Sequence, residues 1–140
     1  MAKYFTLKEL ISTKRKIENV PTFEDVHHLE ELVKNLLDPL REAYGKPIRV
    51  NSGFRCPALN KAVGGSSTSA HLQGYAADLD DWKGDTEALV TFAKTWVVLN
   101  RIKFDQLIRE ETADGKTVWL HIGLYGPNGC QRGQIFDLVK

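Results

Sequence analysis

The sequence predicts an α+β fold, in which one small domain over residues 1–140 packs helices on an antiparallel sheet. Apolar residues recur at helical spacing in segments 22–45 and 85–99. Residues 104–125 instead contain two β-type runs around a turn. Because helices come early and antiparallel strands dominate late, this order favours α+β over a sheet wound with alternating helices.

The composition is that of a folded protein with one core. The chain has 140 residues, of which 42% are hydrophobic and 26% are charged, a balance that excludes a disordered chain. The formal net charge of +1 gives no reason to expect nucleic acid as a partner. No run approaches the ~20 apolar residues that span a bilayer, so we expect no membrane insertion.

The N-terminal residues MAKYFTLKELISTKRK contain no apolar run of signal-peptide length. We therefore expect synthesis in the cytoplasm without a signal peptide. Residues 5–11 predict a short helix capped by Thr6. The basic run TKRK at residues 13–16 is typical of a solvated surface.

The longest helix is predicted for TFEDVHHLEELVKNLLDPLREAYG, residues 22–45. Thr22 and Asp25 have the spacing of a capping box, and Gly45 suits the C-terminal end. Pro39 predicts a kink or restart within this helix.

The remaining elements are shorter. Residues 46–52 predict a strand, and residues 52–80 predict mostly loop that ends in a strand over 75–79. A helix is predicted for 85–99 with Asp85 or Thr86 as its cap, and a last strand for 134–139.

The runs 104–112 and 117–125 flank Asp114-Gly115, a pair typical of two-residue hairpin turns. Because side chains alternate between faces, Glu110, Trp119 and His121 then share one face, within reach of a common bound group. Pairing outward from this turn sets Ala113 opposite Lys116, Glu110 opposite Trp119, and Ile108 opposite His121.

The candidate metal ligands are His71, Asp78 and His121, with Asp80 and Asp81 as alternatives for the carboxylate. Two histidines, one carboxylate and an open position are typical of catalytic zinc, whereas structural zinc is more often enclosed by cysteines. A zinc-bound water loses its proton near neutral pH and can act as the nucleophile of a hydrolysis. A nearby carboxylate can carry that proton to the leaving amine.

Four segments carry a resemblance to a known family. Residues 69–78, SAHLQGYAAD, resemble the SxHxxGxAxD motif of the M15 peptidases, which are zinc D-Ala-D-Ala carboxypeptidases and related peptidoglycan peptidases. Residues 52–55, SGFR, together with Asn60, resemble the SGYR…N segment of that family, and residues 119–121, WLH, resemble its WxH strand. FDQLIRE at 104–110 is similar to a strand of the shorter, phage-associated branch.

The resemblance implies a fold of the hedgehog/DD-peptidase type and one zinc ion per chain. It also implies a role for each matching residue. These roles are zinc ligation by His71, Asp78 and His121, steering or polarisation of the substrate carbonyl or carboxylate by Arg55, and contact with the substrate peptide by Ser69. Trp119 is expected in the core or in the wall of the substrate-binding pocket rather than in the chemistry.

One position departs from the family pattern. Many members place the catalytic carboxylate three residues before the last His, where this chain has Val118. Valine cannot transfer protons, so Glu110 on the partner strand is our candidate for the general base. The adjacent Glu111 is the competing choice.

The expected function is that of a zinc metallopeptidase that hydrolyses peptide bonds in peptidoglycan stem peptides, as a D-Ala-D-Ala carboxypeptidase or an endolysin-type endopeptidase. The alternative is a catalytically inactive, zinc-stabilised module that binds cell wall or builds a virion. An active protein would be a monomer that reaches the wall through a membrane opened by a phage holin. Cys56 and Cys130 are expected as reduced thiols, with a disulfide left open.

Overall fold

The computed structural model describes residues 3–140. Its helices are α1 (Leu7–Ile11), α2 (Phe23–Leu32), a π-helical turn (Val33–Leu37), α3 (Asp38–Tyr44), α4 (Pro57–Ala62), a 3₁₀ turn (Ala70–Gln73), α5 (Thr86–Leu99) and a second 3₁₀ turn (Pro127–Gly129). Its strands are β1 (Ile48–Ser52), β2 (Ala76–Asp81), β3 (Gln106–Glu111), β4 (Val118–Gly123) and β5 (Gln134–Val139).

The predicted N-terminal helices are confirmed together with their caps. The hydroxyls of Thr6 and Thr22 each accept a hydrogen bond from the backbone N–H three residues on, and both helices have a complete capping box. Gly45 follows α3 with φ 73°, the left-handed conformation that glycine adopts at little cost.

Pro39 interrupts the long helix as predicted, through a π-helical turn. The N–H of Asp38 donates to the carbonyl of Val33, five residues back. Pro39 then falls in the first turn of α3, where its missing N–H is not needed. The chain therefore stays helical through the proline, and its apolar face remains in the core.

The five strands form one open sheet in the order β1-β2-β4-β3-β5. The α+β class is confirmed, but the prediction of an antiparallel sheet is wrong for the last strand, because β5 runs parallel to β3. The other neighbouring strands are antiparallel. β5 follows β4 in sequence but pairs with β3, and a hairpin signal carries no information on such a crossover.

Helices cover one face of the sheet and enclose the core with it. Inward side chains of β2, β3 and β4 pack against α5 and the long N-terminal helix. The largest fully buried side chains of the sheet are Leu79, Leu107, Leu120 and Ile122.

The opposite face of the sheet carries the candidate functional side chains in two rows. Strand pairing aligns residues across the sheet, and alternation places both rows on the same side. From β5 to β1, the first row is Phe136, Ile108, His121, Asp78 and Ser52, and the second is Leu138, Glu110, Trp119, Asp80 and Arg49.

The predicted hairpin register is confirmed, whereas the predicted two-residue turn is wrong. Ile108 lies opposite His121 and Glu110 opposite Trp119. The ladder ends with Thr112 donating to Thr117, which leaves a four-residue loop. Asp114 Oδ1 accepts hydrogen bonds from the Thr112 hydroxyl and the Lys116 N–H, so side-chain bonds replace the expected Ala113–Lys116 pair.

Residues 57–62, which we expected to be loop, form the helix α4. Pro57 stands at its start, and Cys56 at the cap position makes no side-chain capping bond. A helix of six residues is too short to show a helical period in the sequence.

Cys56 and Cys130 are both free thiols. Within residues 3–140, no helix has the length and hydropathy needed to cross a bilayer.

Candidate active site

Three buried side chains converge at the centre of the open face. Asp78 on β2 is paired directly with His121 on β4, and His71 comes from the 3₁₀ turn before β2. Asp78 Oδ1 lies 3.3 Å from His71 Nε2 and 3.2 Å from His121 Nδ1. The three candidate ligand atoms all lie within 4.8 Å of one another.

This spacing fits a metal ion. Two ligands at about 2.0–2.1 Å from zinc and at tetrahedral angles lie about 3.3 Å apart, close to the two distances from Asp78 Oδ1. Two imidazole nitrogens and one carboxylate oxygen leave a fourth position for water or substrate. His71, Asp78 and His121 are 2%, 6% and 9% exposed, so the cluster is shielded from bulk solvent.

Backbone contacts fix the orientation of His71. Its Nδ1 lies 2.7 Å from the carbonyl oxygen of Gly53, which selects the tautomer that donates from Nδ1 and leaves Nε2 free for a metal. The Ser69 hydroxyl accepts a hydrogen bond from the His71 N–H at 3.2 Å and so caps the 3₁₀ turn. Ser69 therefore supports a ligand in addition to any contact with substrate.

The protonation states of the cluster suit metal binding. Burial lowers the pKa of the His71 imidazole, although the Asp78 carboxylate partly opposes that shift. Burial alone would raise the pKa of Asp78, but charge interactions and hydrogen bonds with the two histidines hold it well below its usual range. A neutral imidazole and an ionised carboxylate are the forms that coordinate a metal.

Arg55 is buried beside the cluster, and some of its N–H groups donate hydrogen bonds to neighbouring side chains. Its guanidinium donates to Asp78 Oδ2 at 3.0 Å, to the Ser52 hydroxyl at 3.0 Å and to Asn60 Oδ1 at 3.4 Å. The contact with Asp78 leaves the other carboxylate oxygen facing the two histidines. Because a guanidinium has five N–H groups, these three bonds still leave donors for a substrate.

Glu110 is a buried carboxylate in the second row of the open face. It is 5% exposed, and its Oε2 accepts a hydrogen bond from the Trp119 indole N–H. Its Oε1 lies 3.4 Å from Lys140 Nζ. Glu111, the competing candidate, alternates to the helix-covered face and contacts Arg109.

Two cavities meet at the Arg55–Asp78 pair. The first, of about 310 Å³, extends over β3 and β5 and is called here the β5-side cavity. The second, of about 600 Å³, extends over β1 and is called the β1-side cavity. The β5-side cavity is lined by Arg55, Ser69, His71, Asp78, Glu110 and His121, whereas Trp119 lines the β1-side cavity together with Arg55 and Asp78.

Comparison with known proteins identifies the family. Residues 3–109 match peptidase M15, and this segment makes up most of the chain. It includes Arg55, His71, Asp78 and the N-terminal helices that support them.

The chain belongs to the M15 peptidase family.

A curated relative agrees with this assignment over a shorter segment. Forty-four residues are 54% identical to a segment of the zinc D-Ala-D-Ala carboxypeptidase of Streptomyces albus G. That segment covers 31% of this chain and 17% of the relative, so most of the relative lies outside the comparison. The M15 family and this zinc enzyme indicate zinc as the metal for the His–Asp–His cluster.

In this M15 protein, strand pairing places the Val118 side chain on the face of the sheet opposite the metal ligands. Val118 is paired with Glu111, and β4 continues regularly from there to His121. Residues three apart on a regular strand point to opposite faces, so the Val118 side chain is directed away from the metal ligands. Glu110 lies on the face of the ligands, which makes it the better placed carboxylate.

Two residues that position the site in this M15 protein have no role that the sequence alone predicts. Asn60 accepts from Arg55 and donates to the Ser66 carbonyl at 2.9 Å. His28 Nδ1 lies 2.7 Å from the Gln73 carbonyl, and its ring stacks on Tyr75 with 4.1 Å between centroids. The resemblance already included Asn60, whereas nothing in the sequence around His28 indicated a distant contact.

The wall that β5 contributes to the β5-side cavity was also not predicted. Phe136, Leu138 and Lys140 line this cavity because β5 pairs with β3. The strand itself was predicted, but no sequence signal gave its neighbour, so these residues could not be placed near Glu110.

Proposed function

We propose that this M15 family member is a zinc metallopeptidase that hydrolyses peptide bonds in peptidoglycan stem peptides. The observation that best supports this function is the convergence of the His71–Asp78–His121 cluster and Glu110 on one cavity. A metal site with an open position does not by itself supply the group that transfers protons in a hydrolysis. A buried carboxylate beside it supplies the acid–base group that a hydrolase needs.

Each candidate residue has a chemical role in this proposal. Zinc held by the cluster supplies Lewis acidity, which acidifies water and polarises a carbonyl group. Glu110 takes a proton from the attacking water and returns it to the leaving amine. Arg55 binds the substrate carbonyl or a carboxylate through its remaining N–H groups, and Ser69 contacts the peptide from the cavity wall.

A second candidate function is a zinc-stabilised module that binds cell wall or builds a virion without cleaving a bond. Two observations favour it: Val118 replaces the usual catalytic carboxylate, and Glu110 already contacts Trp119 and Lys140. A general base has to exchange protons with water, and these two donors compete for its oxygens. The two candidates therefore differ in whether Glu110 is free to act.

Mass spectrometry of the soluble products from purified peptidoglycan tests the proposal. We expect the zinc-loaded protein to release peptides, a chelator to stop release, and added zinc to restore it. The product masses would distinguish a D-Ala-D-Ala carboxypeptidase from an endopeptidase. Sedimentation of the protein with cell wall without any released peptide would support the binding module and contradict the peptidase.

A further inference from the structure

The β1-side cavity extends away from the metal cluster, and its lining does not include His71, His121 or Glu110. It shares Arg55 and Asp78 with the β5-side cavity. Because β1 and β5 are opposite edges of the sheet, the two cavities extend from the metal ligands in opposite directions. Together they form one groove across the open face.

The wall of the β1-side cavity carries an excess of positive charge. Its basic residues are Lys14, Arg15, Arg49 and Arg55, and its acidic residues are Asp78 and Asp80. Arg49 donates to both oxygens of Asp80, at 3.0 and 2.6 Å, and Arg55 is bonded to Asp78. Lys14 and Arg15 are exposed, and neither forms an ion pair within residues 3–140.

The loop that carries Lys14 and Arg15 is fastened to the active-site segment. Asn19 is 9% exposed, and its amide N–H groups donate to the carbonyls of Ile11 and Phe54 at 2.9 and 2.8 Å. Its Oδ1 accepts a hydrogen bond from the Cys56 N–H at 2.7 Å. The loop is thus tied on both sides to the residues that flank Arg55.

Close backbone packing adds a second attachment. The N–H of Phe54 donates to the Leu10 carbonyl at 2.8 Å. A Cβ atom at Gly53 would overlap the same carbonyl, so only glycine allows this approach. The two basic side chains therefore extend from a backbone whose position relative to the metal ligands is fixed.

The far end of the groove has a different chemical character. Ile108, Phe136 and Leu138 line the β5-side cavity, and the last two are 39% exposed. The β5 end of the groove therefore adds exposed apolar side chains, whereas the β1 end adds Lys14 and Arg15, two cations without an ion-pair partner within residues 3–140. The volume of about 600 Å³ at the basic end accommodates more than one amino-acid residue.

We propose that Lys14 and Arg15 form a subsite for a carboxylate of the bound peptide, on the side of the metal ligands opposite Phe136 and Leu138. This inference rests on the proposed peptidase function. Stem peptides offer two sources of that carboxylate: the α-carboxylate of a glutamate linked through its side chain, and the C-terminal carboxylate.

Four synthetic stem pentapeptides test the subsite. The internal glutamate α-carboxylate and the C-terminal carboxylate are each either free or amidated, which gives four combinations. We expect wild-type protein to prefer a free carboxylate at one of the two positions by about fivefold in kcat/KM, mainly through KM, since two partly exposed ion pairs contribute modestly. The double variant Lys14→Ala/Arg15→Ala should reduce this preference to about one. The matched control Lys83→Ala/Lys103→Ala removes the same charge from exposed positions outside both cavities and should keep the preference.

The position of the preference identifies the source of the carboxylate, internal or C-terminal. Equal preferences in wild-type protein and in Lys14→Ala/Arg15→Ala would overturn the subsite, as would the absence of any preference in wild-type protein. Cleavage of none of the four peptides would instead contradict the peptidase function. In that case calorimetric binding of the same peptides gives the ratio of dissociation constants, and an equal ratio in wild type and double variant again overturns the subsite.

Discussion

Glu110 is the residue on which the proposed hydrolysis depends. We predict that Glu110→Gln keeps zinc but lowers kcat by about 10²–10⁴-fold, the usual contribution of a general acid–base group. The amide oxygen can still accept the Trp119 N–H bond, so the fold should be retained. Peptide release from peptidoglycan and zinc content, measured on the same preparation, check both parts.

The matched control for this variant is Glu111→Gln. Glu111 is adjacent in sequence but lies on the other face of the sheet, where it contacts Arg109. Its replacement should leave the rate unchanged. A Glu110→Gln protein that cleaves at the wild-type rate would remove Glu110 from the mechanism.

The buried pair of Tyr44 and Asp81 supports the strand that carries Asp78. The Tyr44 hydroxyl donates to Asp81 Oδ1 at 2.7 Å, and this bond, opposed by burial and aided by two backbone N–H groups, lowers the pKa of Asp81. We predict that Tyr44→Phe lowers the free energy of unfolding at pH 7 by about 1 kcal/mol. Urea denaturation measures the change.

The pH dependence of that loss follows from the sign of the pKa shift. A carboxyl group with a lowered pKa stabilises the folded state above its unfolded pKa of about 3.9. The stabilisation disappears as the pH falls through the folded value. The difference in the free energy of unfolding between Tyr44→Phe and wild type should therefore be largest above about pH 4 and should shrink below it. Tyr4→Phe, at an exposed tyrosine–glutamate pair, should change stability by less than about 0.5 kcal/mol at any pH.

Among the structural elements, the turn after β1 connects the N-terminal loop to the metal site. Gly53 touches Leu10 on one side, and its carbonyl accepts from His71 on the other. We predict that Gly53→Ala destabilises the protein by about 2–4 kcal/mol, because the new Cβ has no space, and that it weakens zinc binding. Thermal unfolding and zinc titration measure the two effects.

The control variant Gly45→Ala separates the cost of backbone strain from damage to the metal site. Gly45 has φ 73°, and a Cβ there would meet nothing within 4 Å, so the cost is conformational and about 1 kcal/mol. Zinc affinity should stay at the wild-type value in this control. Equal zinc affinity in Gly53→Ala and Gly45→Ala would show that the turn does not position His71.

Elements with strong local signals were predictable, and those set by tertiary contacts were not. The cap at Thr6, the capping box at Thr22 and the hairpin register around His121 depend on residues close in sequence, and all three predictions are confirmed. The helix α4 is too short for periodicity to identify it. The parallel pairing of β5 depends on a crossover that residues 124–133 do not encode locally, so the apolar wall of the β5-side cavity was missed.

Across the whole molecule, the metal cluster joins segments that are distant in sequence. His71, Asp78 and His121 come from a 3₁₀ turn and two strands, so a bound ion connects these elements. We predict that removing zinc lowers the melting temperature by about 10 °C, since a ligand at 1,000 times its dissociation constant stabilises by about 4 kcal/mol. Calorimetry with and without chelator measures the shift.

An exposed histidine provides the control for that experiment. His27→Ala, at a position whose side chain is 69% exposed, should keep the full shift between zinc-loaded and zinc-free protein. Equal melting temperatures for both forms of the wild-type protein would show that the cluster does not hold the ion in the folded state.

The candidate site was predictable as a set of residues but not as a shape. Motif spacing selected His71, Asp78 and His121, and the strand register placed Glu110 on their side of the sheet. The groove could not be predicted, because its walls come from the loop at residues 12–15 and from β5, which reach the site only through long-range packing. Asn19, which fastens that loop, lies in no motif.

The central claim is that His71, Asp78 and His121 hold a zinc ion, and elemental analysis of the purified protein tests it most directly. Wild-type protein should contain about one zinc per chain, as expected for a single site with three protein ligands, and His121→Ala should contain almost none. Zinc bound equally by both proteins, or absent from both after incubation with the ion, would contradict the assignment of the site.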